Sequence, residues 1–319
     1  LVEVGEGSLA KPADAFTPLA SLINLRQATP EVQYYLLPGD RDWDQSGPQG
    51  WTAVRALEDF LEELELENLH WSSPSGCPGP EMLELSSSTL VLLLNTQWWN
   101  HPFRKPLPAD ADCEFAEPAI ILEELNDAVE ENLDKNIIIA GHYPFASQGR
   151  YGGEFPVSDY LFPPLWGGIQ TAYRQNIGRP EEIHNAQFAP FGKALTDLTY
   201  QHEGLLFLSS HEPNQQVLEY RNNYLINSGA PSQGRWVAKH KPAIFAAQEV
   251  GFSVIDLQAD GRVTYTFNEV SQEGIALSRR LMLFDQPCIP VENTTTPPNP
   301  NYQPCLKEVD PARLIKPIL

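Results

Sequence analysis

"NIIIAGHYP", residues 136–144, decides the reading of the fold. It begins as an unbroken apolar run without polar alternation, the pattern of a strand covered on both faces. Gly141 and Pro144 then turn it into a loop that carries His142. The segment before it, "PAIILEELNDAVEENLDKN" (118–136), places apolar residues at helical spacing with acids between them, an amphipathic helix. The same helix-then-strand unit recurs in "FGKALTDLTYQHEG" (191–204) and "LLFLSSHEPN" (205–214).

Outward from these units the pattern continues. Upstream, "LVEVGEG" (1–7) reads as a strand and "PLASLINLRQATPE" (18–31) as a helix. "VQYYLLPGD" (32–40) is the next strand and "WTAVRALEDFLEELELENL" (51–69) the next helix. "EMLELSSSTLVLLLNTQWW" (81–99) predicts a hairpin whose second strand is buried on both faces. "VLEYRNNYLINSGAP" (217–231) and "FSVIDLQADGRVTYTFN" (252–268) predict two further hairpins, the second turned by Asp260-Gly261. Helices alternating with strands, followed by hairpins, predict a layered α/β sandwich with mixed sheets. In such folds the site lies beyond the carboxyl ends of the strands. Here those ends read "GEGS", "PGDRDW", "NTQWW", "AGHYP" and "SSHEPN".

The chain has 319 residues, 42% of them hydrophobic, enough for one large domain with an appendage. We expect a domain over 1–285 and a Pro- and Asn-rich extension over 286–319. No apolar run reaches eighteen residues, so no membrane span is expected. The chain begins at Leu1 without a basic-then-apolar signal, and is read as a mature or partial product that has lost its targeting segment. Its net charge is −21, from 42 acidic and 21 basic residues. Such a surface repels nucleic acid and anionic lipid, and neither is expected as a ligand. The four cysteines show no C-x-x-C spacing or Cys/His cluster, which argues against a structural zinc site. An even number in loop segments predicts disulfides Cys77–Cys113 and Cys288–Cys305 in an oxidising compartment, against four free thiols in a cytosolic protein.

The strand ends, in their order, resemble the calcineurin-like metallophosphoesterases, especially the purple-acid-phosphatase branch and exported relatives from Bacteroidota. The resemblance runs over residues 1–270. "IIIAGHYPFASQG" is similar to that branch's Gly-His-Tyr-Pro segment, and "FLSSHEPNQQVLEY" to its Gly-His-(Asp/Glu)-His-Asn segment. "LLPGDRDW" resembles its Pro-Gly-Asn-His-Asp-Trp turn, while "GCPGPEMLEL", "NTQWWNHP" and "INSGAPS" resemble the exported subgroup. The resemblance implies a four-layer α/β/β/α sandwich with mixed sheets. It also implies a site where two metals, bridged by an Asp and a hydroxide, clamp a phosphate for in-line attack. A His in the strand-end turn would stabilise or protonate the leaving oxygen.

Position by position, the catalytic set is incomplete. Glu6 of Gly5-Glu6-Gly7-Ser8 stands where the family has Gly-Asp-x-Gly, and its extra methylene displaces the oxygens by about an ångström. No Gly-Asp-x-x-Tyr, the source of the bridging carboxylate, lies between Ser8 and Gly39. Asp40 takes the Asn ligand position, and Arg41 replaces the catalytic His; an arginine holds an anion but cannot serve as general acid near neutrality. His142 and His211 are kept, Pro213 replaces the last His ligand, and Asn214 falls on the Asn that follows. The resemblance thus implies a residual metal or anion site made of Asp40, His142, His211, Glu6, Arg41 and Asn214, with no catalytic residue. It would hold no cofactor, or one divalent ion (Zn, Fe or Mn).

The expected function is a catalytically degenerate metallophosphoesterase-like subunit that binds or scaffolds an exported cell-envelope complex in the periplasm or at the cell surface. Its partners would be envelope proteins, by analogy an outer-membrane β-barrel. Two alternatives remain. One is an active phosphomonoesterase whose second metal motif is absent from this chain. The other is a carbohydrate- or peptide-binding module using the Trp98–Trp99 region, where Trp98 and Trp99 with His101 could line a pocket but are read first as core aromatics that cap the sheet. "QGRYGG" (148–153) reads as a substrate-side loop or a turn. "LFPPLWGG" (161–168) reads as an apolar loop suited to a partner. No role is assigned to His70, His184, His202 or His240.

Overall fold

The computed structural model describes residues 29–284 except 108–112, 114–116, 162, 165 and 259–260. Glu6, Cys288, Cys305, the first strand and most of the first helix, the 286–319 extension, Asp260, and the side chains of Phe162 and Leu165 lie outside the described residues. In chain order the elements are β1 (Tyr34–Leu36), α1 (Gly50–Glu63), β2 (Leu69–Trp71), β3 (Glu81–Ser86), β4 (Thr89–Leu93), α2 (Thr96–Asn100) and α3 (Pro118–Glu130). There follow β5 (Asn136–Ala140), α4 (Val157–Leu161), α5 (Trp166–Asn176), α6 (Ala189–Gln201), β6 (Leu206–Ser209), β7 (Gln215–Tyr220) and β8 (Asn223–Ser228). The last are β9 (Ala243–Ala247), β10 (Gly251–Leu257), β11 (Val263–Ser271) and β12 (Gly274–Phe284).

The protein is a mixed α/β structure. Its largest sheet has the order β3-β4-β5-β6-β8-β7-β9, with β4, β5, β6 and β8 parallel and the remaining pairs antiparallel. β4 and β5 are buried along their whole lengths, as their unalternated apolar runs require. One face of this sheet, through Leu90, Leu92, Ile137, Ile139, Phe207 and Leu225, packs on α3 and α6. α3 contributes Ile121, Leu125, Ala128 and Val129, and α6 contributes Phe191, Leu195 and Leu198, each set recurring at helical spacing. The other face, through Val91, Leu93, Ile138, Val217 and Ile226, packs on Val263, Tyr265 and Phe267 of the antiparallel sheet β10-β11-β12. β1 and β2 form a separate parallel pair, on which α1 lays Leu57 and Leu61 against Tyr34 and Leu36.

The expected hairpins are present. β7 and β8 are joined by Arg221 and Asn222, both left-handed at φ 52° and 61°, the conformation that a two-residue type I′ turn requires. Two expectations need correction. β12 was not foreseen: Arg279 and Arg280 interrupt the apolar pattern of "IALSRRLMLF", because the strand lies at the sheet edge with most of its length in solvent. "LFPPLWGG" is a loop only in part, since Trp166 begins α5; Gly167 and Gly168 in its first turn hid the helix from a propensity reading. Cys77 and Cys113 are joined, as expected, closing a separation of 36 residues.

Candidate metal or anion site

Three strand ends converge. β1 runs through Leu37 and Pro38 into a tight turn in which the Gly39 amide donates to Asp42 Oδ2 at 2.8 Å. The Gln45 amide then donates to the Asp40 carbonyl at 2.8 Å. Asp44, Gln45 and Ser46 are all left-handed, a conformation that costs non-glycine residues roughly 1–2 kcal/mol each. The turn is held in it by Trp43, which is fully buried, and by Gln97 Nε2 donating to Ser46 Oγ at 2.7 Å. Beyond β5, the Tyr143 amide donates to Thr96 Oγ1. The amides of Ser210 and His211, beyond β6, both donate to the His142 carbonyl, at 3.1 and 3.0 Å. The loops after β5 and β6 are therefore stitched together by backbone.

These turns bring Asp40, His142 and His211 together, with one donor atom from each within 4.8 Å of the others. His142 Nε2 lies 3.1 Å from Asp40 Oδ1 and 2.9 Å from His211 Nδ1. On its far side His211 Nε2 lies 2.7 Å from the Glu181 carbonyl. A carbonyl only accepts, so His211 Nε2 carries the hydrogen and Nδ1 presents a lone pair. The His211 ring sits between Tyr143 and Tyr151, with centroids 4.1 and 4.4 Å away. Burial, and then the charge of His142, push its pKa down to about 3, with Asp40 and the Glu181 carbonyl acting in the opposite sense. It is therefore neutral near pH 7. Burial works to raise the Asp40 carboxyl, but the hydrogen bond and charge of His142, with His211 and Arg41, hold it well below the usual carboxylate range.

The donor set fits a divalent ion. Two lone pairs, on Asp40 Oδ1 and His211 Nδ1, converge on the hydrogen of His142 Nε2. Ligand atoms of a tetrahedral zinc site, with bonds of about 2.0–2.2 Å, stand roughly 3.3 Å apart, and His142 Nε2 lies within about half an ångström of that spacing from each of its two partners. The Glu181 carbonyl supplies the outer hydrogen bond that orients a metal-binding imidazole. Among the described residues this is the one group of three or more His, Cys, Asp or Glu able to hold a metal.

The other expected site residues are dispersed. Arg41 is exposed, and its charge is felt at Asp40. Asn214 is buried at the foot of the β7–β8 hairpin, where its Oδ1 accepts from Gln216 Nε2 at 2.8 Å and Asn227 Nδ2 at 3.5 Å. Trp98 and Trp99 are core aromatics: Trp99 stacks on Phe191 at 4.4 Å, and both are nearly inaccessible. His101 is buried beside Trp43. One functional group was missed. Glu212, next to His211, accepts from Ser147 Oγ at 2.8 Å and from the Gly152 amide at 2.9 Å. It thereby clasps the 147–152 loop that lays Tyr151 on His211. Burial pushes its pKa up to about 7 against those hydrogen bonds. Its position inside "SSHEPN" was the available signal.

Neither a protein-family model nor a curated protein matches the sequence. Among solved structures, "GAP50 the anchor in the inner membrane complex of Plasmodium" is similar over 80% of this chain and 67% of its own, at 14% identity and a TM-score of 0.47.

Proposed function

We propose that this chain is a metallophosphoesterase-like domain, of four-layer α/β/β/α build, that has lost catalysis and serves as a binding or scaffolding subunit of an exported cell-envelope complex. The observation that carries the reading is the convergence, among the described residues, of three donors: Asp40, His142 and His211. Two-metal phosphoester hydrolysis needs a bridging carboxylate and ligands on both sides of it. Asn214 is engaged with Gln216 and Asn227, and Pro213 offers no side-chain ligand. What supports the layered part of the reading is that helices α3 and α6 lie on one face of the large sheet and the three-stranded β10-β11-β12 sheet on the other, while α1 packs on the β1–β2 pair.

Asp40 Oδ1, His142 Nε2 and His211 Nδ1 would hold one divalent ion. Such an ion, when bound, supplies charge to polarise an oxygen or to acidify a bound water. The chain's own residues do the rest: Glu181 fixes the His211 tautomer, Tyr143 and Tyr151 limit water access, and Arg41 offers a permanent cation to an anion. None of these moves a proton to a leaving oxygen. The envelope placement draws on the Cys77–Cys113 disulfide, which persists in oxidising compartments. No helix among the described residues is long and apolar enough to cross a membrane; the partner proposed for the envelope complex is an outer-membrane β-barrel.

The test is hydrolysis of an aryl phosphate by the purified chain in the presence of Zn²⁺, Mn²⁺ or Fe²⁺. Turnover at background supports the reading. Robust metal-dependent turnover, abolished by His142→Ala, would establish the active phosphomonoesterase in its place.

A further inference from the structure

α5 is turned inside out. A surface helix ordinarily buries its apolar stripe and exposes its polar face. α5 instead buries Gly167 and Thr171 and holds Arg174 inward over the Phe155 ring, in an ion pair with the buried Glu182. Outward it presents Trp166 at 69% exposure, Ile169 at 62% and Tyr173 at 48%, with Ile177 at 61% just beyond its end. α4, bound to it through Thr171 Oγ1 and the Asp159 carbonyl, adds exposed Val157, Tyr160 and Leu161. These seven side chains offer roughly 800 Å² of accessible surface, above the usual largest patch of a monomer and equal to one partner's share of a standard interface.

We propose that this face is the dimer interface of the protein, its occupant being a second copy paired about a twofold axis through Tyr173. Three observations select a copy of the chain. The stripe Ile169, Tyr173, Ile177 has i, i+4, i+8 spacing, the ridge that two helices interdigitate most often. It reads the same in reverse, so antiparallel pairing sets Ile169 against Ile177 twice and Tyr173 against itself, as an isologous interface requires. The charges here are internally spent: Arg174 on Glu182 and Arg150 on Asp159. On a chain of net charge −21, such a neutral apolar face lets two copies approach with the least repulsion. The inference is independent of whether the strand-end site holds a metal.

The experiment is sedimentation equilibrium of the full chain at micromolar concentrations, in low and high salt. We expect a dimer that tightens as salt screens the acidic surfaces, and a dissociation constant raised more than tenfold by Tyr173→Glu. Because that variant could alter α5 itself, cross-linking supplies an independent reading. Ile169→Cys and Ile177→Cys chains, mixed and mildly oxidised, should form a mixed disulfide dimer in preference to either chain with itself. A monomer at all concentrations, a dimer indifferent to Tyr173→Glu, or absence of the preferred mixed cross-link would each overturn the proposal. Binding of the monomer to phosphatidylcholine vesicles, lost in Tyr173→Glu, would assign the face to a lipid surface and overturn it equally.

Discussion

Arg41 and His101 show how a single side chain sets what the site and the core can do. Arg41 stands at the mouth of the turn, where its charge helps keep Asp40 ionised. On the proposed reading, Arg41→His would supply a leaving-group donor, a contribution of about 10²–10⁴ in rate, but only where a metal-bound nucleophile exists for it to assist. We therefore expect Arg41→His to leave aryl phosphate turnover at background; activity appearing in that single variant would mean that a working metal centre survives. His101 makes a different prediction. Burial, and then the nearby Lys105 charge, push its pKa down to about 4, from an ordinary 6.5. The unfolded chain therefore binds more protons between those values, and stability falls as pH drops from about 6.5 towards 4. Urea midpoints measured across that window should fall less steeply for His101→Gln than for the parent, and parallel curves would refute the assignment.

At the scale of elements, the legible parts were those with strong periodicity. The runs "TLVLL" and "NIIIA" announced β4 and β5, and the apolar residues of α3 announced which face meets the sheet. α3 offers a test between neighbours: Ile121 is fully buried and Ile120 is 40% exposed. Ile121→Ala should cost about 2–4 kcal/mol in denaturant titrations, and Ile120→Ala about 0.5 kcal/mol or less. Similar costs for the two would contradict the orientation of the helix. Of the elements that stayed hidden, two have a polarity that the core does not set. β12 is an edge strand with its charges in solvent, and α5 exposes its apolar stripe, so both break the periodicity by which a sequence is read.

At the scale of the whole molecule, distance along the chain limits what can be read. Asp40, His142 and His211 could be singled out in the sequence only through resemblance, because nothing in spacing joins residues that three separate strands deliver to one point. The clasp by Glu212 and the engagement of Asn214 depend on side-chain direction, which no pattern of residue types states. The Cys77–Cys113 bond was legible because both cysteines lie in loops, and it closes a separation of 36 residues. Its removal by Cys77→Ala with Cys113→Ala should cost about 3–4 kcal/mol of unfolding free energy on the chain-entropy model. An unchanged denaturation midpoint would show that the loop is held by other contacts.

The central proposal is that three donors converge among the described residues where a two-metal centre needs more. Metal stoichiometry tests it most directly: the purified chain is equilibrated with excess Zn²⁺, freed of unbound ion, and measured by elemental analysis. The account predicts no more than one zinc per chain, with any bound zinc lost in His142→Ala and His211→Ala. Two tightly held ions per chain would contradict it.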